Sequence, residues 1–146
     1  MDISPRMIHN PLLMRIRKQS LEERIEKIKE EIAALGDVHP GAMTQQYNIC
    51  GNPRCRCKAD PPMKHGPYYQ VSYTWHRKST SLFIRRENAA EVRKQLSHYH
   101  RLRRLVDRWI TLAIQLASLR RQQQRQARQN TAKREAKSRV SQEKRT

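Results

Sequence analysis

Three cysteines and one histidine carry the first chemical suggestion in this chain. Cys50, Cys55 and Cys57 fall within eight residues, and His65 follows after seven intervening positions. Thiolates and imidazole are soft or borderline ligands that suit a tetrahedral zinc ion. The Cys50-x4-Cys55 spacing makes a reachable chelate loop, and Cys55-x-Cys57 sets two thiols on one tight bend. Gly51 and Pro53 favour the turn between them. Four protein ligands leave no coordination position for water, so zinc held here is structural rather than catalytic. Two other readings stand beside it. In one, the cysteines are reduced thiols in a loop and His65 is a polar residue at a turn. In the other, a single cysteine is reactive and Arg54, Arg56 and Lys58 lower its pKa. That last reading lacks a group to orient a cysteine–histidine nucleophile.

The same segment offers a second chemistry. Arg54, Arg56, Lys58 and Lys64 make it a basic knuckle beside an aromatic-rich stretch, a pairing suited to phosphate and base contact. Tyr68 and Trp75 are the candidates for stacking on bases. Tyr69 and Tyr73 are expected to fill a small core instead. Further charge lies beyond the knuckle. Residues 1–84 carry 13 basic against 8 acidic side chains, whereas residues 85–146 carry 18 against 5. The net charge of +18 is thus concentrated in the second half, which points to a polyanion. Arg120, Arg121, Arg125, Arg128, Lys133, Arg134, Lys137 and Arg139 are the expected phosphate contacts, with weak sequence preference.

Several classes are disfavoured. No run approaches the length of an apolar membrane span, and Met1 to Asn10 lacks a signal-peptide pattern. Three clustered cysteines do not read as a disulfide framework. The expected setting is therefore reducing and cytoplasmic, in association with nucleic acid. No glycine-rich phosphate loop, Ser-His-Asp order or paired carboxylates for two-metal chemistry stands in the sequence, so no enzyme and no catalytic residue is expected.

The elements that must position these residues can be read from periodicity. Residues 1–10 form a flexible arm. Asn10-Pro11 is a helix start, and Ser20 with Glu23 is a competing capping box. The longer helix, from Pro11 to Leu35 and closed by Gly36, is favoured because it covers more of its partner. Leu21, Ile25, Ile28, Ile32 and Leu35 recur at 4, 3, 4, 3, a coiled-coil seam. Strands are expected over Thr44–Ile49, Tyr68–Thr74 and Ser79–Ile84, with Trp75 to Lys78 turning the hairpin. Tyr69, Val71, Tyr73, Leu82 and Ile84 share one face, joined by Tyr47 and Ile49. Asn88 with Glu91 caps a second helix that runs well past Leu119. Its Leu105, Trp109, Leu112, Leu116 and Leu119 repeat the 4, 3, 4, 3 spacing, and Val106, Ile110 and Ala113 widen the stripe enough to bury two neighbours. Only 36% of the chain is hydrophobic, so a large core is not expected.

The expected fold class is α+β. Two long helices form an antiparallel coiled-coil-like pair, bridged by a small antiparallel β-sheet and a Cys/His knuckle. Residues 11–119 make one domain, and residues 120–146 a basic tail that is partly helical or disordered.

The segment Cys50-Gly51-x-Pro53-x-Cys55-x-Cys57, then His65-Gly66-Pro67-Tyr68-Tyr69, resembles a family of small uncharacterised prokaryotic proteins. The resemblance covers roughly residues 20–120 and implies association with mobile elements. The expected function is a non-enzymatic nucleic-acid-binding accessory of DNA recombination, transposition or mobile-element assembly, with DNA favoured over RNA. The alternatives are a coiled-coil scaffold that binds a protein partner or self-associates through its helix stripes, and an RNA- or ribosome-associated basic protein.

Overall fold

The computed structural model describes residues 10–143. The arm expected over residues 1–10 lies outside the described residues except for Asn10, as do the last three residues of the tail. The elements follow in the order α1 (Pro11–Ala33), β1 (Ala42–Asn48), β2 (His65–Trp75), β3 (Lys78–Ile84) and α2 (Ala89–Glu143). The mixed α+β class is the one observed. The residues group into two compact units. One holds Ala34–Arg104, and the other holds α1 with α2 from Leu105 onward.

The helical unit begins at Asn10. Its side-chain oxygen accepts the Leu12 N–H at 3.0 Å, and its carbonyl accepts the Met14 N–H at 3.1 Å. With Pro11 at the first helical position, this cap sets the start of α1. The capping box at Ser20 goes unused because the chain is already helical there, and Gln19 instead donates to Glu23 at 2.9 Å. The helix stops at Ala33, short of the expected Leu35.

Met14, Leu21, Ile25 and Ile28 are buried on α1, with Lys18 and Ile32 half-buried on the same stripe. On α2, Leu105, Leu112, Leu116 and Leu119 are buried, and Trp109 is half-buried between them. The Lys29 ammonium lies 5.4 Å over the Trp109 ring, while Arg120 pairs with Glu22 at 2.9 Å. Ascending numbers on α1 meet descending numbers on α2, so the pair is antiparallel. Each buried leucine or isoleucine contributes about 1.5–3 kcal/mol. The exposed Arg120–Glu22 pair contributes about 0–1 kcal/mol. The apolar seam therefore holds the helices and charge only trims the register.

The seam outlasts its apolar residues. Gln123 and Gln126 continue the 4, 3 spacing past Leu119 and are half-buried. The antiparallel register brings them level with Lys18 and Met14. Beyond them α2 remains helical to Glu143, further than a tail dissolving into coil. Ala, Gln, Arg, Lys and Glu dominate this stretch, and all are strong helix formers. A helix already nucleated by the packed seam extends through them at one hydrogen bond per residue.

The other unit is built on the sheet, in strand order β1-β2-β3 and antiparallel throughout. Val71 is fully buried at its centre, with Met43 and Leu82 opposite it on either side. Tyr69 and Tyr73 flank it on the same face. Tyr69 lies under the Arg93 guanidinium at 5.0 Å, and Tyr73 meets the His39 ring edge-on at 5.1 Å. The expected third-strand contributors are corrected by the register. Gln45 pairs with Tyr69 and Met43 with Val71, whereas Tyr47 stands at a register shift between Gln46 and Asn48 and is exposed. Ile49 lies beyond the strand and is also exposed. The hairpin turn falls where the sequence placed it. His76 and Arg77 take φ values of 48° and 65°, the left-handed pair of a type I′ turn. Into α2 the chain enters through a 3-10 turn, Arg86–Asn88, rather than through an Asn88 cap.

Gly36 and Gly41 have different jobs. A side chain at Gly36 would press on the His98 ring, which lies against the Asp37 carbonyl at 3.0 Å. Gly36 thus permits a close approach and does not cap α1. Gly41 sits at φ 111° with the Ser72 carbonyl oxygen 2.4 Å from where a Cβ would stand. Gly41→Ala is expected to destabilise the protein by more than about 1 kcal/mol. Gly51→Ala, with nothing within 4 Å and no left-handed φ, is expected to be near neutral. Chemical denaturation of the two variants against the parent measures the contrast.

Candidate metal centre

The cysteine segment leaves β1 and returns to β2 as a compact knuckle. Its first bend is made by Asn52. The Asn52 side-chain oxygen accepts the Arg54 N–H at 3.0 Å, and its carbonyl accepts the Cys55 N–H at 3.2 Å. Gly51, to which the sequence assigned this turn, needs no special conformation. A 3-10 turn over Arg56–Lys58 follows, closed by the Lys58 N–H to the Cys55 carbonyl at 2.9 Å. This turn folds Cys57 inward, to 1% exposure. The Arg56 carbonyl then accepts both the Ala59 and Met63 N–H groups, drawing the proline-rich limb back toward the turn.

That path brings all four expected ligands together. Donor atoms of Cys50, Cys55, Cys57 and His65 lie within 4.8 Å of one another, close enough to hold a metal ion. The Cys50 and Cys57 sulfurs are 3.6 Å apart, and the Cys55 sulfur is 3.0 Å from His65 Nε2. A tetrahedral site with metal–sulfur bonds near 2.3 Å spaces its sulfurs at about 3.8 Å. The observed sulfur pair matches that edge and is far outside the S–S bond length of about 2.05 Å. All three cysteines are free. Cys55 is lowered to a pKa of about 6, chiefly by the Cys57 backbone N–H and then by the Cys57 side chain. Burial pushes the Cys57 thiol up.

The family described as "Domain of unknown function (DUF6788)" matches residues 18–94, just over half of the chain. The chain belongs to this family. No curated protein and no solved structure matches the chain. The DUF6788 span takes in all four donor residues, the whole sheet and most of α1, and it ends in the first turns of α2. The long basic part of α2 lies beyond it.

Around the knuckle Arg54, Arg56, Lys58 and Lys64 are all exposed, with their charges outside the donor cluster. Tyr68 is exposed on β2, and Trp75 is exposed at the hairpin tip against the His76 ring. On α2, Arg120 is engaged by Glu22. Arg121, Arg125, Arg128, Lys133, Arg134, Lys137 and Arg139 are exposed along the helix. Sequence reasoning missed Phe83, the most exposed large apolar residue among those described, at 77%. Alternation with Leu82 and Ile84 was the available signal. Among the described residues no helix is long and apolar enough to cross a membrane.

Cys57→Ser and His65→Ala are each expected to lose the metal that the parent retains, about one ion per chain. Lys58→Ala, which alters an exposed neighbour, is expected to keep it. Elemental analysis of the purified proteins measures this.

Proposed function

We propose that this chain is a non-enzymatic nucleic-acid-binding accessory protein. Its knuckle holds a structural zinc, and its C-terminal helix grips duplex DNA. Three thiols and one imidazole form a donor set suited to zinc, and four protein ligands leave no position for a reacting water. The ion then fixes the chain between β1 and β2 and does no chemistry.

The observation that carries the DNA reading is the exposed basic helix. Every described side chain from Ala127 to Gln142 is exposed. Arg121, Arg125 and Arg128 follow a 4, 3 spacing along one face, and Arg139 falls on it after five full turns. Lys133, Arg134 and Lys137 project from the other side. A helix of roughly 10–12 Å diameter fits the B-DNA major groove, about 12 Å wide. Charge on both faces then reaches both phosphate walls. The A-form RNA major groove is too narrow to admit a helix in this way, which favours DNA. The resemblance carried by the Cys-Gly-x-Pro-x-Cys-x-Cys and His-Gly-Pro-Tyr-Tyr core implies a place in a recombination, transposition or mobile-element assembly.

If the helix neutralises six to ten phosphates, duplex affinity falls by about 10³–10⁵ between 50 and 200 mM salt. Replacing Lys133, Arg134, Lys137 and Arg139 by glutamine is expected to flatten the log–log salt slope by roughly 3–4. Fluorescence anisotropy with a short duplex across a salt series reads both. A flat response in the parent protein would sink the proposal.

A scaffold role has its own support. Leu12, Leu13 and Ile16 on α1 and Ile110 and Ile114 on α2 are exposed apolar residues. They leave part of the widened stripe without a neighbour. Sedimentation of the parent and of Ile110→Glu/Ile114→Glu distinguishes the readings. An assembly that dissolves in the double variant supports the scaffold, and a monomer in both removes it.

A further inference from the structure

The sheet has a second face that the core does not use. Antiparallel pairing puts directly opposed residues on the same side, so its occupants follow from the register. Thr44, Gln70 and Phe83 form one cross-strand row, since Thr44 pairs with Gln70 and Gln70 with Phe83. Gln46 and Tyr68 form the next row. Arg85 follows β3 in an extended conformation, with φ −64° and ψ 145°, and the alternation places it two residues beyond Phe83 on this face. Val71, on the opposite face, is fully buried, whereas Phe83 is 77% and Tyr68 43% exposed.

This face does not have the composition of an ordinary solvated one. Phe83 and Tyr68 are diagonal neighbours, at a Cα separation of roughly 7–8 Å. Beside them, toward β1, the Gln46 amide donates to Gln70 Oε1 at 3.1 Å, which holds two carboxamides side by side. Thr44 donates to the Gln70 carbonyl at 3.4 Å. Further along, Ser72 pairs with Ser81 at 2.8 Å and Thr74 with Ser79 at 2.9 Å. Two exposed rings, paired amides and one arginine match the requirements of an unpaired nucleobase. Such a base needs a ring to stack on, donors and acceptors for its edge, and a cation for its phosphate. An apolar protein partner would be poorly served, because the paired amides and hydroxyls around the rings keep further donors and acceptors that it would leave unsatisfied. Duplex DNA keeps its base faces stacked inside and offers nothing for Phe83 to cover.

We infer that this sheet face binds single-stranded nucleic acid, stacking adjacent bases on Phe83 and Tyr68 while Gln46 and Gln70 contact base edges. The inference rests on the nucleic-acid reading above and adds a base-dependent surface to a charge-dependent helix.

The test uses the full chain with its metal, at fixed salt. Three probes are titrated by fluorescence anisotropy: a twelve-nucleotide oligothymidine, an abasic oligonucleotide of equal length and charge, and a short duplex. The oligothymidine is expected to bind more tightly than the abasic strand. Phe83→Ala is expected to weaken oligothymidine binding roughly 5–100-fold and to leave abasic and duplex binding unchanged. Phe83→Trp restores the ring and is expected to restore affinity. Because Phe83 is so exposed, neither change should disturb folding, and circular dichroism checks that. Equal affinity for oligothymidine and the abasic strand, or an effect of Phe83→Ala on all three probes alike, overturns the stacking surface and leaves the nucleic-acid reading standing. Failure of all three probes to bind overturns both.

Discussion

Three sulfurs and an imidazole nitrogen within 4.8 Å of one another are the constraint on which the sheet-bearing unit depends. Such a cluster does not hold itself together. As thiolates the sulfurs repel, and as thiols they are weak hydrogen-bonding groups. The segment between β1 and β2 is rich in proline and charge and contributes one buried residue, Cys57. Ordering each of its residues costs about 1–2 kcal/mol in backbone entropy, far more than a few turn hydrogen bonds return. A metal ion bound there would supply the missing attraction, because coordination free energy becomes folding free energy when no site exists in the unfolded chain. With the knuckle closed, Asn48 is placed opposite His65 and the β1–β2 register follows. A core as small as Val71 and its neighbours gains from exactly this kind of external tie.

The helical unit answers a different constraint. It contains no crosslink, and its stability comes from one long seam. That seam could be read from the 4, 3 spacing of leucines and isoleucines because the period is sustained over many turns. Its polar continuation through Gln123 and Gln126 could not, since glutamine does not announce burial. The start of α1 offered two capping signals of similar strength. The Asn10 cap prevailed because Pro11 pre-sets the backbone, and the helix then passes through Ser20 without interruption. Element ends were less legible than element types. Gly36 looked like a helix terminator, yet its small size serves the approach of His98.

The four candidate metal donors were legible because their chemistry is rare and their clustering needs no knowledge of the fold. What the spacing did not reveal was how the turn is made. Asn52 makes it through its side chain and carbonyl, and Gly51, the more obvious turn residue, takes no conformation that requires glycine. The strand face was half-legible. Alternation identified Tyr69, Val71, Tyr73, Leu82 and Ile84 as the inner side, but β1 was read two residues late, so Tyr47 and Ile49 were given places that Met43 and Gln45 occupy. The same alternation implies that the intervening residues face outward. Phe83 is among them and breaks the polar pattern, and a reading directed at the core passes over it.

The two proposed contacts stand on separate parts of the chain. The basic helix is suited to a backbone of uniform charge, where affinity comes from counterion release and is indifferent to sequence. The outer sheet face carries two rings and one arginine, so its contribution would depend on bases as well as on charge. Base dependence is what separates the two, since a uniformly charged helix has no means of reading a base. On these proposals unpaired bases would engage the sheet face. A simple duplex would engage the helix alone. Phe83 stands in water where burial of such a ring would contribute about 1.5–3 kcal/mol, and a stacked base would recover part of that.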